Sequence, residues 1–262
     1  MAIERWNAIH DATILPNTCP QWRRDKFPGF KCEEILNPNT PISEDCLYLN
    51  LWVPTKFRRH NNKEVKNATV MIWIHGGGYT KGTSTLDLYY GLTLAAMNDV
   101  IVASMNYRLG ALGFLYFGTE EAPGNMGLYD QALAIQWIKD NIPFFGGNPN
   151  SITIFGESAG AESITAHFLS PISSHLVKRA ILQSNVVTAS WGSISAESAR
   201  NFSQILAKDV GCFIEKSTTY GAIPDEAATV NCLRDIDVLN VLEAQKPFLE
   251  HYIPIVCIHY LI

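Results

Sequence analysis

The residues best placed to do chemistry are Gly156-Glu157-Ser158-Ala159-Gly160. The β-branched, apolar run Ile152-Thr153-Ile154-Phe155 precedes them, and Ala161 to His167 reads as helix. That pattern is strand, sharp turn, helix, with a serine at the apex. Glycines on either side let the backbone bend without a Cβ clash and lift the serine oxygen above a sheet edge. A G-x-S-x-G pattern arises by chance roughly 3 times in 10,000 positions, so alone it is a modest signal, and a glycine-flanked turn with a solvated serine competes with it. A second motif strengthens the case. His75-Gly76-Gly77-Gly78 follows Ala68-Thr69-Val70-Met71-Ile72-Trp73-Ile74, an apolar run of strand length. Acyl transfer builds negative charge on a carbonyl oxygen, and backbone N–H groups aimed at it stabilise the transition state by about 3–4 kcal/mol per donor. Three glycines allow that close approach. The expected donors are Gly77, Gly78 and Ala159, the residue after the nucleophile.

The elements that must position these groups read as an α/β chain. Leu47 to Val53 alternates and reads as a strand stopped by Pro54, and Val100 to Asn106 is almost wholly apolar, as for a strand covered on both faces. Leu128, Ala132, Ile135 and Ile138 recur at helical spacing, predicting a helix over 127–140 that Pro143 ends. Ala180 to Gln183 is a further short strand. Residues 195–210 read as a helix with Phe202, Ile205 and Leu206 inward and Gly211 as its stop. Residues 11–45 read as a long loop layer and Lys56 to Lys66 as an exposed hairpin loop. Strands alternating with helices imply a largely parallel sheet with helices on both faces.

Composition excludes several classes. The chain has 262 residues, 47% of them hydrophobic, and a net charge of −5, with no basic run to suggest nucleic acid. Cys19, Cys32, Cys46, Cys212, Cys232 and Cys257 contain no C-x-x-C pair, which weakens zinc and thioredoxin-type readings. Asn67-Ala68-Thr69 and Asn201-Phe202-Ser203 are glycosylation acceptors if the chain is secreted. Met1 to His10 does not read as a signal peptide. The run Tyr252 to Ile258 is too short to span a bilayer.

These residues resemble the type-B carboxylesterase family, and within it the cholinesterases. The resemblance rests on Ser43 to Asn50, Phe155 to Gly160, Glu121 to Leu128 and Phe144 to Pro149, and runs from about Trp6 to Ile255. It implies an α/β-hydrolase fold, here the N-terminal to central part of the sheet with flanking helices. Residues 1–255 form the partial domain, and 256–262 read as an out-of-family tail. The resemblance implies a small-molecule ester substrate, Ser158 as nucleophile, and no metal or organic cofactor. Cys19–Cys46 would close a loop walling the active-site gorge, and Cys212–Cys232 would be a second disulfide, leaving Cys32 and Cys257 without partners. Glu157 corresponds to the acidic residue beside the nucleophile; on its own it reads equally as a buried, hydrogen-bonded carboxylate. Trp191 corresponds to the acyl-pocket tryptophan, against an ordinary core aromatic, and Tyr89 to a gorge-wall tyrosine.

Two departures point away from choline esters. The cholinesterase tryptophan that holds a quaternary ammonium is Leu36 here, before Asn37-Pro38-Asn39, and an acidic position of the first loop is Arg24. Leucine offers no π face, and a cation at position 24 repels a cationic substrate. The base and acid that should activate Ser158 are not recognisable. The family places them further on than the 104 residues that follow Ser158 reach. His75 belongs to the glycine loop, His167 reads as structural, His175 lies in a surface turn, His10 and His60 precede the motif in loops, and His251 and His259 stand outside any family pattern. The expectation is therefore the nucleophile-bearing part of a secreted esterase. The alternatives are an inactive truncated product or a non-catalytic, neuroligin-like adhesion protein on the same fold.

Overall fold

The computed structural model describes residues 11–23, 28–55, 67–176, 178–189, 192–251 and 256–257. Positions Arg24, Lys56 to Lys66, Trp191, His10, His60 and His259 lie outside them. Five strands build the central sheet: β1 (Leu49–Trp52), β2 (Ala68–Ile74), β3 (Ile101–Met105), β4 (Gly147–Glu157) and β5 (Arg179–Gln183). Their order is β1-β3-β2-β4-β5, with β1 antiparallel to β3 and every other pair parallel. Helices α1 (Lys31–Glu34), α2 (Leu92–Asn98), α3 (Gly110–Phe114), α4 (Met126–Asn141), α5 (Ala159–Leu169), α6 (Ala196–Asp209), α7 (Glu226–Arg234) and α8 (Val238–His251) surround it. Beyond the sheet, β6 (Ser193–Ile194) pairs with β9 (Val256–Cys257), and β7 (Glu215–Thr218) forms a hairpin with β8 (Gly221–Pro224).

The central strands are apolar because both faces are covered. Val70, Ile72 and Ile74 of β2, Ile101, Ala103 and Met105 of β3, and Ile152 and Ile154 of β4 join one core with Ile135 and Ile138 of α4 and Ile164 of α5. Each large aliphatic side chain buried this way contributes about 1.5–3 kcal/mol. β5 is different: it is exposed along its whole length, with Ile181 and Leu182 facing outward.

The register decides where chemistry can occur. β2 and β4 lie side by side and parallel, with Ile74 opposite Gly156. Their carboxyl ends therefore share one sheet edge, and the segments that follow, His75 to Gly78 and Ser158, meet there. Open α/β sheets bind ligands at that edge.

Some expectations are corrected. Residues 11–45 are mostly loop but contain α1 and a bridge between Thr18 and Ile42. α4 does end just before Pro143, which sits second in the single 3-10 turn Ile142–Phe145 that follows. In α6, Ile205 is 43% exposed and Phe202 half-buried. The inward stripe is Ala199, Ser203, Leu206 and Ala207, and Ser203 Oγ accepts a hydrogen bond from Tyr116 N–H at 2.9 Å.

Candidate active site

Ser158 sits between β4 and α5 at φ 54°, ψ −122°. A non-glycine residue in this region costs about 1–3 kcal/mol, so its surroundings must enforce it. Two backbone hydrogen bonds do so: Ser158 N–H donates to Gln183 O at 2.9 Å, and Ser158 O accepts from Glu162 N–H at 3.0 Å. The flanking glycines admit the neighbouring strand. A Cβ on Gly156 would lie 2.7 Å from the Ile74 carbonyl oxygen, and one on Gly160 would overlap it. The serine itself is half-buried.

The glycine loop packs directly against this turn. A Cβ on Gly76 would fall 2.6 Å from the Glu157 carbonyl oxygen and 3.2 Å from Ser158 Cβ. Gly77 (φ 104°), Gly78 (φ 60°) and Tyr79 (φ 58°) carry the backbone through left-handed conformations. Among the described residues, the N–H groups of Gly77, Gly78 and Ala159 make no hydrogen bond. The Gly77 carbonyl instead accepts from the amides of Thr80 and Lys81, each at 3.2 Å. Tyr79 O accepts from Gly110 N–H at 2.8 Å, which anchors the far end of the loop.

His75 is part of the scaffold. Its ring is buried and stacked on Tyr107 with centroids 4.4 Å apart. Its Nδ1 lies 2.9 Å from Gly76 O, while the Tyr107 hydroxyl donates to His75 O at 2.8 Å. Burial lowers the His75 pKa to about 4, with the Gly76 hydrogen bond acting the other way, so the ring is neutral at physiological pH. The disulfide Cys19–Cys46 closes a loop whose Gln21 clamps the same region: its side chain accepts from Gly82 N–H at 2.8 Å and donates to Gly82 O at 2.7 Å. Cys212–Cys232 is also formed, and Cys32 is free and exposed.

Around Ser158 the other predicted residues divide. Glu157 is exposed, not buried, so its reading as a buried, hydrogen-bonded carboxylate fails; its carboxyl lies beside Gly76. Tyr89 leans on Trp73 with centroids 5.0 Å apart, and Trp73 on Phe155 at 5.0 Å. Burial first and the Glu157 charge second push the Tyr89 hydroxyl pKa up, so Tyr89 and Glu157 are neighbours at one rim. Leu36 is 37% exposed, while Asn39 beside it is locked to Thr85 by two hydrogen bonds of 2.7 Å. Trp22, the tryptophan of the same loop, donates to Leu242 O at 2.9 Å and is capped by the Lys246 ammonium 3.6 Å from its ring centroid. Asn67 and Asn201 are both exposed.

The buried carboxylate is Glu162, which the sequence reading passed over, as it did a polar chain behind the elbow. Ser163 Oγ donates to Ala159 O at 2.8 Å and lies 3.4 Å from the Tyr79 hydroxyl. Gln131 bridges Ser163 Oγ (3.2 Å) to His167 Nε2 (2.9 Å), and His167 Nδ1 reaches Ser173 Oγ at 2.9 Å. The signal was present: Ala159, Ser163 and His167 repeat every four residues along one face of α5. Burial lowers the His167 pKa to about 4. His75 and His167 are thus committed to structure, His175 is exposed, and among the described side chains no histidine bonds Ser158. Among the described residues there is no cluster of three metal-ligating groups, and no helix is long and apolar enough to cross a membrane.

A serine held at a strained strand-to-helix elbow, against a glycine loop with unpaired amides, at the carboxyl edge of a parallel sheet, defines the α/β-hydrolase class. Comparison with known proteins narrows it. The family model described as the carboxylesterase family matches residues 2–259, and the chain belongs to that family. It is 48% identical over 250 residues to an acetylcholinesterase of Leptinotarsa decemlineata, covering 91% of this chain and 39% of that protein. It is 50% identical over 245 residues to a cholinesterase of Mus musculus, covering 93% and 38%. An acetylcholinesterase of Danio rerio is 48% identical over 231 residues, covering 88% and 34%. The chain thus spans about two fifths of the length of the curated relatives it matches.

Proposed function

We propose that the full-length protein is a serine carboxylic-ester hydrolase and that this chain carries its nucleophile and oxyanion site. Ser158 Oγ attacks the ester carbonyl while a histidine base takes its proton. The carbonyl oxygen, now anionic, is held by the amides of Gly77, Gly78 and Ala159. The tetrahedral intermediate collapses, the alcohol leaves with the proton returned by the histidine, and an acyl-serine remains. Water, activated by the same base, then releases the acid. The base and its carboxylate partner are supplied by residues that are not among these 262. Trp191, Glu157 and Tyr89 border the substrate, and the setting is extracellular, with Asn67 and Asn201 glycosylated. The observation that carries this reading is the packing of the glycine loop on the elbow, so close that a Cβ on Gly76 would fall 3.2 Å from Ser158 Cβ.

The substrate class follows from the rim. Leucine at position 36 offers no π face to a quaternary ammonium, and the Trp22 ring is already engaged by Lys246. Neutral esters are preferred over choline esters. The test is kcat/KM of the full-length protein for a neutral aryl ester and for its choline analogue. The expected result is a preference for the neutral ester and a loss of about a thousandfold or more in Ser158→Ala. A choline preference overturns the substrate assignment, and activity that survives Ser158→Ala overturns the mechanism. The 262-residue chain alone is expected to show little or no turnover.

A further inference from the structure

The elbow helix carries one ionisable group that the proposed chemistry does not use. Glu162 lies in the first turn of α5, and its amide donates to the Ser158 carbonyl at 3.0 Å. Its side chain is fully buried. One carboxyl oxygen accepts from Asn185 Nδ2 at 2.7 Å; the other has no hydrogen-bond partner. A Cβ on Gly192 would overlap the carboxyl, so the segment after β5 closes over it at both Asn185 and Gly192. The same segment is tied to α5 a second time, where Val187 N–H donates to Thr165 Oγ1 at 2.9 Å.

The charges around Glu162 are few. Residues 185–192 hold no ionisable side chain. From the glycine loop it is faced by Tyr79, whose hydroxyl is pushed up by burial and then by the Glu162 charge. On its own helix, His167 is neutral and committed to Gln131 and Ser173. Among the described residues no lysine, arginine or histidine pairs with Glu162. A buried carboxylate without a cation is held towards its neutral form. Burial raises the Glu162 pKa to about 7, with the Asn185 hydrogen bond pulling it back down.

Position gives this group leverage. The amino end of α5 presents the Ala159 amide and the positive end of the helix dipole to the developing oxyanion. A carboxylate one turn along the same helix, sealed from water, opposes a negative charge forming there. We propose that Glu162 tunes acyl transfer at Ser158 as a positioning residue: neutral, it leaves the amino end of α5 free to stabilise the oxyanion, and ionised, it weakens that stabilisation. The proposal rests on the Ser158 reading given above.

The test is the rate at which an uncharged phosphonate ester modifies Ser158 in the full-length protein, followed from acid to alkaline pH. Deprotonation of the histidine base makes this rate rise with pH, whereas ionisation of Glu162 makes it fall, so the two titrations have opposite signs. The wild type is expected to show a falling limb near pH 7, ending about tenfold below the rate of Glu162→Gln, which shows none. Asn185→Ala removes the donor that favours the ionised form and moves the falling limb to higher pH. A falling limb retained in Glu162→Gln, or absent from the wild type, overturns the proposal. Should Glu162→Gln not fold, the Asn185→Ala profile decides, and an unshifted limb overturns it. If no adduct forms that Ser158→Ala abolishes, the esterase reading fails and takes this proposal with it. A Ser158 adduct with a flat alkaline profile sinks only the role of Glu162.

Discussion

Replacing Glu162 with glutamine should stabilise the protein in alkaline solution and leave it nearly unchanged in acid. The carboxyl titrates at 4.5 as a free group and at about 7 in the fold. Between those values the folded state keeps a proton that the unfolded chain has released, so stability falls as pH rises. The favourable contribution is complete below pH 4.5 and is lost as pH climbs through 7. Each pKa unit is about 1.4 kcal/mol, so the loss reaches about 3 kcal/mol. A domain's whole stability is about 5–15 kcal/mol, which makes that a large share. That loss is a ceiling, which any solvent screening of the carboxyl lowers. Glutamine keeps the shape and the acceptor for Asn185 but cannot ionise. Urea unfolding of both full-length proteins at about pH 5 and about pH 9 isolates the effect, since other titrating groups cancel between them. The expected outcome is near equality in acid and an advantage of up to about 3 kcal/mol for glutamine in alkali. An advantage that does not change with pH refutes the reasoning, because it means that Glu162 carries no unpaired charge in the fold.

Three further outcomes follow from the packing. Gly160→Ala drives a methyl into the Ile74 carbonyl; it should cost about 1–3 kcal/mol in urea unfolding and abolish covalent labelling of Ser158. Replacing Cys19 and Cys46 with serine opens a loop of sequence separation 27 and should cost about 3–4 kcal/mol, read as a lower urea midpoint. His167 is held neutral, with its pKa lowered from 6.5 to about 4, so its contribution is present above pH 6.5 and is lost as pH falls towards 4. His167→Gln should therefore remove up to about 3 kcal/mol of acid sensitivity, measured as a smaller drop in unfolding free energy between pH 6.5 and 4.

The parts of this molecule that were legible in its sequence are those set by local pattern. β2, β3 and α4 announce themselves through apolar runs and a helical period, and the elbow and glycine loop through residues that few other backbones require. The two disulfides came from resemblance, not from spacing. What stayed hidden depends on contacts far apart in the chain. Glu157 and Glu162 are both acidic residues beside the elbow, and nothing local says which one is buried. The structure decides it, because Gly192 and Asn185 close over Glu162 while Glu157 remains at the rim. In α6 the apolar count finds Leu206 but also picks Ile205, which is exposed, and passes over Ser203, which is buried with its Oγ accepting from Tyr116 N–H. The short helix α3 and the hairpin of β7 and β8 have too little periodicity to declare themselves.

The central claim is that Ser158 is an acylated nucleophile. It is tested most directly by treating the full-length protein with an ester that leaves a stable acyl or phosphonyl group and mapping the adduct by peptide mass spectrometry. The expected result is a single stoichiometric adduct on the peptide carrying Gly156 to Gly160, assigned to Ser158 and absent after Ser158→Ala. Ester hydrolysis at an unchanged rate with no adduct on that serine, or with the adduct on another residue, would contradict it.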